Sequence, residues 1–339
     1  MELAASLSTT DPLPGPSGLS IRDFTGSDAD YAAAVAVSNA VYPEYPDSVA
    51  SWQEADARQP AHLMRRRWLA ELDGQAVGYA SYNQWEWMYH PQRFHLSIAV
   101  HPAWQGRGIG RALYATLLAA LAPFDPLRIR ARCREDYARS MRFLADRGFV
   151  EDMREWESHL TVPAFDPTPY AGHAERIAAS GIQVVTLREL MARDPEHRRK
   201  LYELDLALAR DVPSPEPMTE GSYESFVQRV FESRDLLPDG YFIALDGERY
   251  AGSSALWKSD EEPATLYTGL TGVHRAYRRR GIALALKLRA IAYAREQGIT
   301  TIKTWNESNN RAMLSINEAL GFVKQPAWVN FVKPLQAAQ

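Results

Sequence analysis

The 339-residue sequence has a single cysteine, Cys133, which excludes an intramolecular disulfide framework and indicates a reducing compartment. It has no apolar run of the length that a transmembrane helix needs. The N-terminus lacks the basic region and the long apolar core of a signal peptide, so we expect a cytoplasmic protein without a membrane partner. A formal net charge of −4 gives no whole-chain reason to expect nucleic acid as a partner.

One stretch of the sequence occurs twice. Residues 100–111 read VHPAWQGRGIGR and residues 273–284 read VHRAYRRRGIAL, with a constant offset of 173, as between Gly108 and Gly281. In each copy an apolar, strand-like run precedes the turn and an alanine- and leucine-rich helical run follows it. The order of strand, turn and helix N-terminus is typical of phosphate-binding sites.

The same order of elements surrounds both stretches. Asp73-Gly74 and Asp246-Gly247 predict two-residue hairpins at the same offset, and Gly148 and Gly321 predict the end of a helix. The sequence therefore predicts a tandem duplication of one mixed α/β domain. The predicted parts are a mobile N-terminal arm (1–17), a first domain (18–163), a linker (164–180) and a second domain (181–339).

The glycines of the two turns bear directly on phosphate binding. Glycine or alanine at positions 108 and 110, and at 281 and 283, lets a pyrophosphate approach the backbone closely. A tight turn with solvated arginines would explain the same residues, and each turn alone is weak evidence. A dinucleotide-binding Rossmann turn is disfavoured because these turns follow the fourth strand rather than the first. A Walker lysine-serine pair is absent from both.

Both turns match the signature (Gln/Arg)-x-x-Gly-x-(Gly/Ala), and the chain resembles the GCN5-related N-acetyltransferase (GNAT) superfamily over nearly its whole length. The resemblance implies an α/β (α+β mixed) fold in which two tandem GNAT-like domains each hold a mixed, mostly antiparallel, splayed sheet flanked by helices. It also implies that acetyl-CoA enters between the fourth and fifth strands of such a sheet.

The resemblance assigns cofactor contacts to both copies. Asn306 and Asn310 look like the cofactor-contacting asparagines of the family, whereas the first copy has Cys133 and Tyr137 there. The residues implied for the pantetheine arm and the pyrophosphate are Ile98, Ala99, Val100, Gln105, Gly106, Arg107, Gly108, Ile109, Gly110 and Arg111 in the first copy, and Thr271, Gly272, Val273, Arg278, Arg279, Arg280, Gly281, Ile282, Ala283 and Leu284 in the second.

The catalytic groups are less well defined by the sequence. The family often has a tyrosine acid four residues before the closing glycine, but Leu144 and Asn317 stand there, and Tyr137 is the nearest alternative in the first copy. For the base, His95 and Tyr267 on the fourth strands are the candidates, although a lone strand histidine is more often structural. No metal is predicted.

We therefore expect an acetyl-CoA-dependent N-acetyltransferase that acts on a primary amine of a small molecule, with one strongly catalytic domain. Direct transfer in a ternary complex is favoured because Cys133 has no evident histidine partner. A non-catalytic acyl-CoA-binding sensor or scaffold, and a protein or peptide N-acetyltransferase, are the alternatives. The sequence leaves monomer and homodimer open.

Overall fold

Two runs of the same elements follow each other in the computed structural model, which describes residues 15–336. Residues 1–14 of the predicted N-terminal arm lie outside the described residues. The first run is β1 (Leu19–Asp23), α1 (Asp28–Val41), α2 (Val49–Ala57), β2 (Arg65–Leu72), β3 (Gln75–Asn83), β4 (Arg93–Val100), α3 (Ile109–Leu121), β5 (Arg128–Arg134), α4 (Ala138–Ala145) and β6 (Val150–Thr161).

The second run begins with a helix that has no counterpart in the first. It comprises α5 (His173–Ala179), β7 (Ile182–Thr186), α6 (Leu187–Arg193), α7 (His197–Ala209), α8 (Tyr223–Val230), β8 (Leu236–Asp246), β9 (Arg249–Lys258), β10 (Thr265–Val273), α9 (Ile282–Glu296), β11 (Thr301–Glu307), α10 (Arg311–Ala319), β12 (Val323–Lys324) and β13 (Trp328–Pro334). Between residues 15 and 336, no helix has the length and apolarity to cross a membrane.

The chain divides into two compact units that do not follow the sequence halves. Unit 1 holds the residues up to Met153, together with Glu216–Thr219 and the residues from Val329 onward. Unit 2 holds Arg154–Pro215 and Glu220–Trp328. Each unit thus takes its last strand from the other half of the chain, an exchange that periodicity alone does not reveal.

In unit 1 the strand order is β1-β2-β3-β4-β5-β13. The first four strands are antiparallel neighbours, and β4 and β5 are parallel. Leu113, Leu117 and Leu121 follow one face of α3 at a spacing of four residues and are fully buried against the sheet side chains Phe94 and Ile129. Helix α1 covers the other face, so the sheet is buried on both sides.

Unit 2 has the same arrangement, with the order β6-β11-β10-β9-β8-β7. Its neighbours are antiparallel except for β10 and β11. Successive residues of β8 point to opposite faces, because Phe242 packs in the core below α9 and Ile243 packs below α7. The predicted fold class, a mixed and mostly antiparallel sheet flanked by helices in two tandem copies, is confirmed.

The tight turn that the sequence predicts at Asp73-Gly74 is present in the structure. Asp73 and Gly74 have φ of 50° and 79° and form the tight turn between β2 and β3. These left-handed values at both positions are those of the turn that joins right-twisted strands, and they favour Asp-Gly. In the predicted linker 164–180, by contrast, the structure has α5, whose Ile177 lies in the core of unit 2.

The short segment Glu216–Thr219 is held in unit 1 by charge. The buried Glu216 carboxylate forms ion pairs with Arg93 at 2.8 Å, with Arg128 at 3.1 Å and with Arg130 at 3.0 Å. The backbone N–H of Thr219 donates to the carbonyl of Trp87 at 2.8 Å. A buried carboxylate requires such partners, since desolvation without them costs several kcal/mol.

We expect Phe331→Ala in β13 to destabilise unit 1, although Phe331 comes from the second half of the sequence. Its buried ring belongs to the core that contains Phe94 and Leu117, and loss of such a ring costs about 3–5 kcal/mol. Hydrogen exchange should accelerate in α3 and β5 and much less in α9 and β11. Val323→Ala at an exposed position is the control, and faster exchange confined to unit 2 would contradict the exchange of strands.

Candidate functional site

The two parallel strands of unit 2 separate after three pairs. Strands β10 and β11 pair at Thr265–Thr301, Leu266–Ile302 and Tyr267–Lys303, and their register ends there. From Thr268 onward, the edge of β10 that faces β11 has no ladder partner among residues 15–336. This opening is the predicted splay between the fourth and fifth strands, and it leaves backbone groups available to an extended ligand.

A β-bulge lies at the start of this opening. Pairing of β10 with β9 shifts register between Thr268 and Thr271, so Gly269 and Leu270 leave the regular ladder. A Cβ on Gly269 would lie 2.4 Å from the Trp257 Nε1 atom, so the position requires glycine. The first copy has Leu96 at the matching position, where β4 pairs with β3 in continuous register.

The opening forms a cleft of about 320 Å³ that lies entirely within unit 2. Predicted cofactor residues Thr271, Asn306 and Asn310 line it. The other lining residues come from six parts of the unit and are Glu155, Val212, Pro213, Thr268, Gly269, Leu270, Lys287, Thr304, Trp305, Glu307 and Met313.

The two asparagines are held by the protein as well as exposed to the cleft. The Asn306 Oδ1 atom accepts a hydrogen bond from Asn317 Nδ2 at 2.6 Å. The Asn310 Oδ1 atom accepts from the Met313 N–H at 3.3 Å and so caps α10. Their orientation is therefore fixed before any ligand arrives.

Both glycine turns have the same backbone conformation. In the first copy Gly106 and Gly108 have φ of 82° and 89°, and in the second Arg279 and Gly281 have φ of 64° and 80°. The second left-handed residue of each pair is the N-cap of the following helix, α3 or α9. The first N–H groups of a helix have no partner within it, so both turns present donors and partial positive charge to an anion.

The first residue of each signature braces its turn. The Gln105 Nε2 atom donates to the Val100 carbonyl at 3.0 Å, and the Arg278 Nε atom donates to the Val273 carbonyl at 3.1 Å. Both carbonyls belong to the last residue of the preceding strand. The sequence assigned these side chains to the cofactor, and the structure shows in addition that each ties strand to turn.

Two other arginines of the turns stack on neighbouring aromatic rings. The Arg107 guanidinium lies 4.6 Å from the Trp104 ring centroid, and the Arg280 guanidinium lies 5.3 Å from that of Tyr277. Both positions are exposed. Stacking on a ring leaves the guanidinium charge in place, so these groups can still attract a phosphate.

The matching region of unit 1 has different chemistry. Tyr137 stands where unit 2 has Asn310; its hydroxyl donates to the Val41 carbonyl at 3.2 Å, and its ring packs edge-on against Tyr42 at 5.4 Å. Cys133 stands where unit 2 has Asn306, and burial raises the pKa of its thiol to about 12. A thiol with that pKa is a poor nucleophile at neutral pH, which agrees with direct transfer.

His95 lies in an aromatic stack rather than in an open cleft. Its ring is 3.5 Å from the Trp85 ring centroid, and the two planes are 14° apart. Burial, with a smaller contribution from the Arg130 charge, lowers the pKa of His95 to about 3. The imidazole is therefore neutral and only weakly basic, and its predicted catalytic role stays a prediction.

Tyr267 lies where β10 and β11 are still paired. Its ring stacks on Trp305 with centroids 5.7 Å apart, and its hydroxyl donates to the Glu262 carboxylate. Lys303 Nζ also contacts Glu262, at 2.8 Å. The predicted catalytic residue thus supports Trp305, a wall of the cleft, and its own catalytic role is likewise a prediction.

Three ionisable side chains of the cleft escaped the sequence analysis. Glu155 lies on β6, which comes from the first half of the sequence but pairs with β11 of unit 2. The sequence therefore did not indicate that Glu155 lines this cleft. Glu307 ends β11 and accepts hydrogen bonds from the N–H and the side chain of Asn309 at 2.8 and 3.0 Å. Lys287 interrupts the buried apolar face of α9, a signal that the sequence did contain.

Comparisons with known proteins agree with this geometry. The model of the acetyltransferase (GNAT) family matches residues 33–149 and 194–322. Mycothiol acetyltransferase from Salinispora arenicola is 25% identical over 285 residues, which are 81% of this chain and 83% of that protein. N-alpha-acetyltransferase 30 from Schizosaccharomyces pombe is 26% identical over 132 residues, 38% of this chain and 82% of that protein.

A solved structure shows the same tandem fold. A tandem GNAT protein from the clavulanic acid biosynthesis pathway superposes with a TM-score of 0.73 at 20% sequence identity. The superposition covers 95% of this chain and 100% of that one.

We expect Gly269→Ala to abolish most acetyl transfer, because the added Cβ meets the Trp257 indole and displaces the bulge. The expected loss of kcat is roughly 100- to 1,000-fold, the effect of removing one backbone oxyanion donor, which is the role that we propose below for the bulge N–H groups. Thiol release would measure kcat, and calorimetry would show that CoA still binds at the turn. The matched control is Leu96→Met in unit 1, and a variant Gly269→Ala with normal kcat would contradict the role of the bulge.

We expect His95 to lower the free energy of unfolding at acid pH rather than to contribute to activity at neutral pH. Its pKa is lowered from 6.5 to about 3 in the folded chain, so its stabilising neutral state is fully present above pH 6.5 and is lost as the pH falls toward 3. His95→Phe should therefore lose less unfolding free energy than the parent between those values, as measured by denaturant titration. An acidic limb of the kcat profile near pH 6.5 that disappears in His95→Phe would instead support a base.

Proposed function

Because the chain belongs to the GNAT family of acetyltransferases and is an N-acetyltransferase, we propose that it transfers the acetyl group of acetyl-CoA to a primary amine of a small molecule. We place the reaction in the cleft of unit 2, by direct transfer in a ternary complex. Members of the family use acetyl-CoA. We also propose that the sequence consists of two GNAT-like domains, 18–163 and 181–339.

The single observation that carries the proposal is the alignment of three features along one line in unit 2. The α9 N-terminus offers N–H donors at residues 279–284, the open edge of β10 follows at Thr271–Val273, and the bulge lies at Gly269 and Leu270. These features suit a pyrophosphate, an extended amide chain and a thioester in that order. Bound acetyl-CoA would supply the activated acetyl group, and the bulge N–H groups would polarise its carbonyl.

The acceptor side of the cleft is suited to a cationic amine. Glu155 and Glu307 both line it, and the Trp305 ring forms a wall between strands. Carboxylates that line a cleft attract an ammonium group and can accept its proton before transfer. We therefore propose that these two carboxylates bind the amine and that one of them acts as the base.

Unit 1 is proposed as the less active copy. Its β4 has no bulge against β3, and Cys133 and Tyr137 replace the two asparagines. Its turn retains the same left-handed backbone and helix N-terminus, so CoA binding there is still expected, through residues 98–100 and 105–111.

A small-molecule acceptor is favoured by the relatives. The proteins similar over most of the chain are named mycothiol acetyltransferase, and their similarity covers both copies. The shorter match to N-alpha-acetyltransferase 30 favours peptide N-termini as a second candidate. The two differ in whether free amines or peptides are turned over faster.

The test is thiol release from acetyl-CoA with a panel of small amines, polyamines, amino sugars and short peptides. We expect turnover that requires an amine and higher kcat/KM for small cationic amines than for peptides. Glu155→Gln and Glu307→Gln should each raise KM for the cationic amine roughly tenfold, the loss of one charge pair. The exposed Glu296→Gln on α9 is the control.

Preference for peptide N-termini would move the assignment to the second candidate. Thiol release at the same rate without any amine would remove the transferase assignment for this cleft. Unchanged KM in both glutamine variants would show that the amine binds elsewhere.

A further inference from the structure

We propose that the ammonium group of Lys287 protonates the CoA sulfur as it leaves, and so supplies the acid that neither copy provides at the position four residues before its closing glycine. The inference rests on the proposed function, because it concerns the same cleft. Lys287 lies on α9, six residues after the N-cap Gly281, or about 9 Å along the helix axis. It therefore lies farther into the cleft than the turn that suits the pyrophosphate.

Lys287 is buried yet faces the cleft. Only 4% of the residue is exposed, and it lines the cleft with Thr304, Asn306 and Met313. Its Nζ atom lies 5.1 Å from the ring centroid of Phe322. The described part of the chain gives this ammonium no hydrogen bond and no ion pair.

An unpaired buried ammonium calls for an explanation. Burial of a charge without a partner is unfavourable, and buried charged groups of this kind are concentrated at functional sites. The side chain reaches an opening that suits a thioester, so a ligand atom that becomes negative is the partner that this position lacks. A leaving thiolate is such an atom.

A second unsatisfied group lies beside the first. The Asn317 side chain is 1% exposed, its Nδ2 atom donates to Asn306, and its Oδ1 atom has no hydrogen-bond partner. Asn317 occupies the position of the missing tyrosine on α10. An amide has no proton to give at neutral pH, so it can orient a ligand but cannot act as the acid.

The first copy has a different residue at the same helix position. Tyr114 matches Lys287 at the offset of 173, and its ring packs with Phe143 and Phe149 in the core of unit 1. Its hydroxyl accepts a hydrogen bond from Lys333 Nζ at 3.3 Å. The phenol of the first copy is thus satisfied internally, whereas the ammonium of the second is not.

The acidity of Lys287 suits proton transfer to sulfur. Desolvation lowers the pKa of Lys287 to about 8, near the value of about 8.5 for a simple thiol. The ionisable groups that line the same cleft are Glu155 from β6 and Glu307 from β11, and Phe322 is the apolar contact on the other side. Similar pKa values let the proton move in either direction without a large barrier.

The step balances as follows. The amine nitrogen bonds to the acetyl carbon, the carbon–sulfur bond breaks, and its electron pair stays on sulfur. A proton moves from Lys287 Nζ to that sulfur and leaves a neutral amine. The acceptor nitrogen loses two protons in all, one from the ammonium before it attacks and one as the amide forms. One of these protons returns to Lys287 through water and the other passes to solvent, so the products are the amide, CoA thiol and one proton.

The decisive measurement is the titration of the thiol of bound CoA, followed by the ultraviolet absorbance of the thiolate. In the parent protein the Lys287 charge should lower the pKa of the bound thiol, and Lys287→Met should raise it by about one unit or more. Lys287→Met should also lose roughly 100-fold in kcat while CoA affinity changes only a few-fold. Tyr114→Phe, the matched position in unit 1, should alter neither the thiol pKa nor kcat.

Lys287→Arg separates charge from acidity and covers the case in which the methionine variant fails to fold. Arginine should keep the low thiol pKa but, since it does not deprotonate, should still lose kcat. Equal thiol pKa values in parent and methionine variant, or full kcat in the arginine variant, would overturn the proposal. Absence of CoA binding to the parent protein would instead overturn the proposed function, so the two failures are distinguishable.

Discussion

The structure depends on a stretch of β10 backbone that has no strand partner on its β11 side among residues 15–336. Parallel strands β10 and β11 make three pairs and then diverge, although every ladder hydrogen bond left unmade costs free energy when it is buried. Helices on both faces of the sheet and the paired lower half of the strands hold the opening in place. The turn before α9 then presents donors at one end of the same edge. The cleft is therefore a consequence of incomplete pairing, and its open strand edge suits an extended ligand.

Two of the differences between the copies bear directly on the chemistry that we propose. Gly269 permits a bulge where Leu96 keeps regular pairing, and Lys287 brings a buried charge where Tyr114 completes a core. The phosphate-binding turns, in contrast, retain the same backbone, even though Arg279 must adopt the left-handed conformation that Gly106 adopts easily. The two turns are thus alike in backbone conformation, whereas the inner parts of the two sheets differ in side chains.

Much of the fold was predictable because its signals are local. The Asp73-Gly74 turn, the helix ends at Gly148 and Gly321 and the duplicated signature each depend on neighbouring residues, and they gave the element order and the fold class. The exchange of β6 and β13 was not predictable, since the residue pattern of a strand does not show which of two similar sheets it joins. The residues of the cleft divide in the same way into predictable and unpredictable ones. Thr271, Asn306 and Asn310 were predicted from the resemblance to the family. Glu155 was not, because only the exchange of strands brings it there.

The strand exchange has a consequence for where the chain can be divided. A cut within residues 164–180 would leave the first half without β13, so the edge of β5 would present unpaired hydrogen-bonding groups. The first half would also lack Glu216, whose carboxylate forms ion pairs with Arg93, Arg128 and Arg130. Exposed edges of this kind promote association with other chains. Neither half of the sequence therefore contains all the strands of one unit, so the boundary between the repeats is not a point at which the chain separates into two complete units.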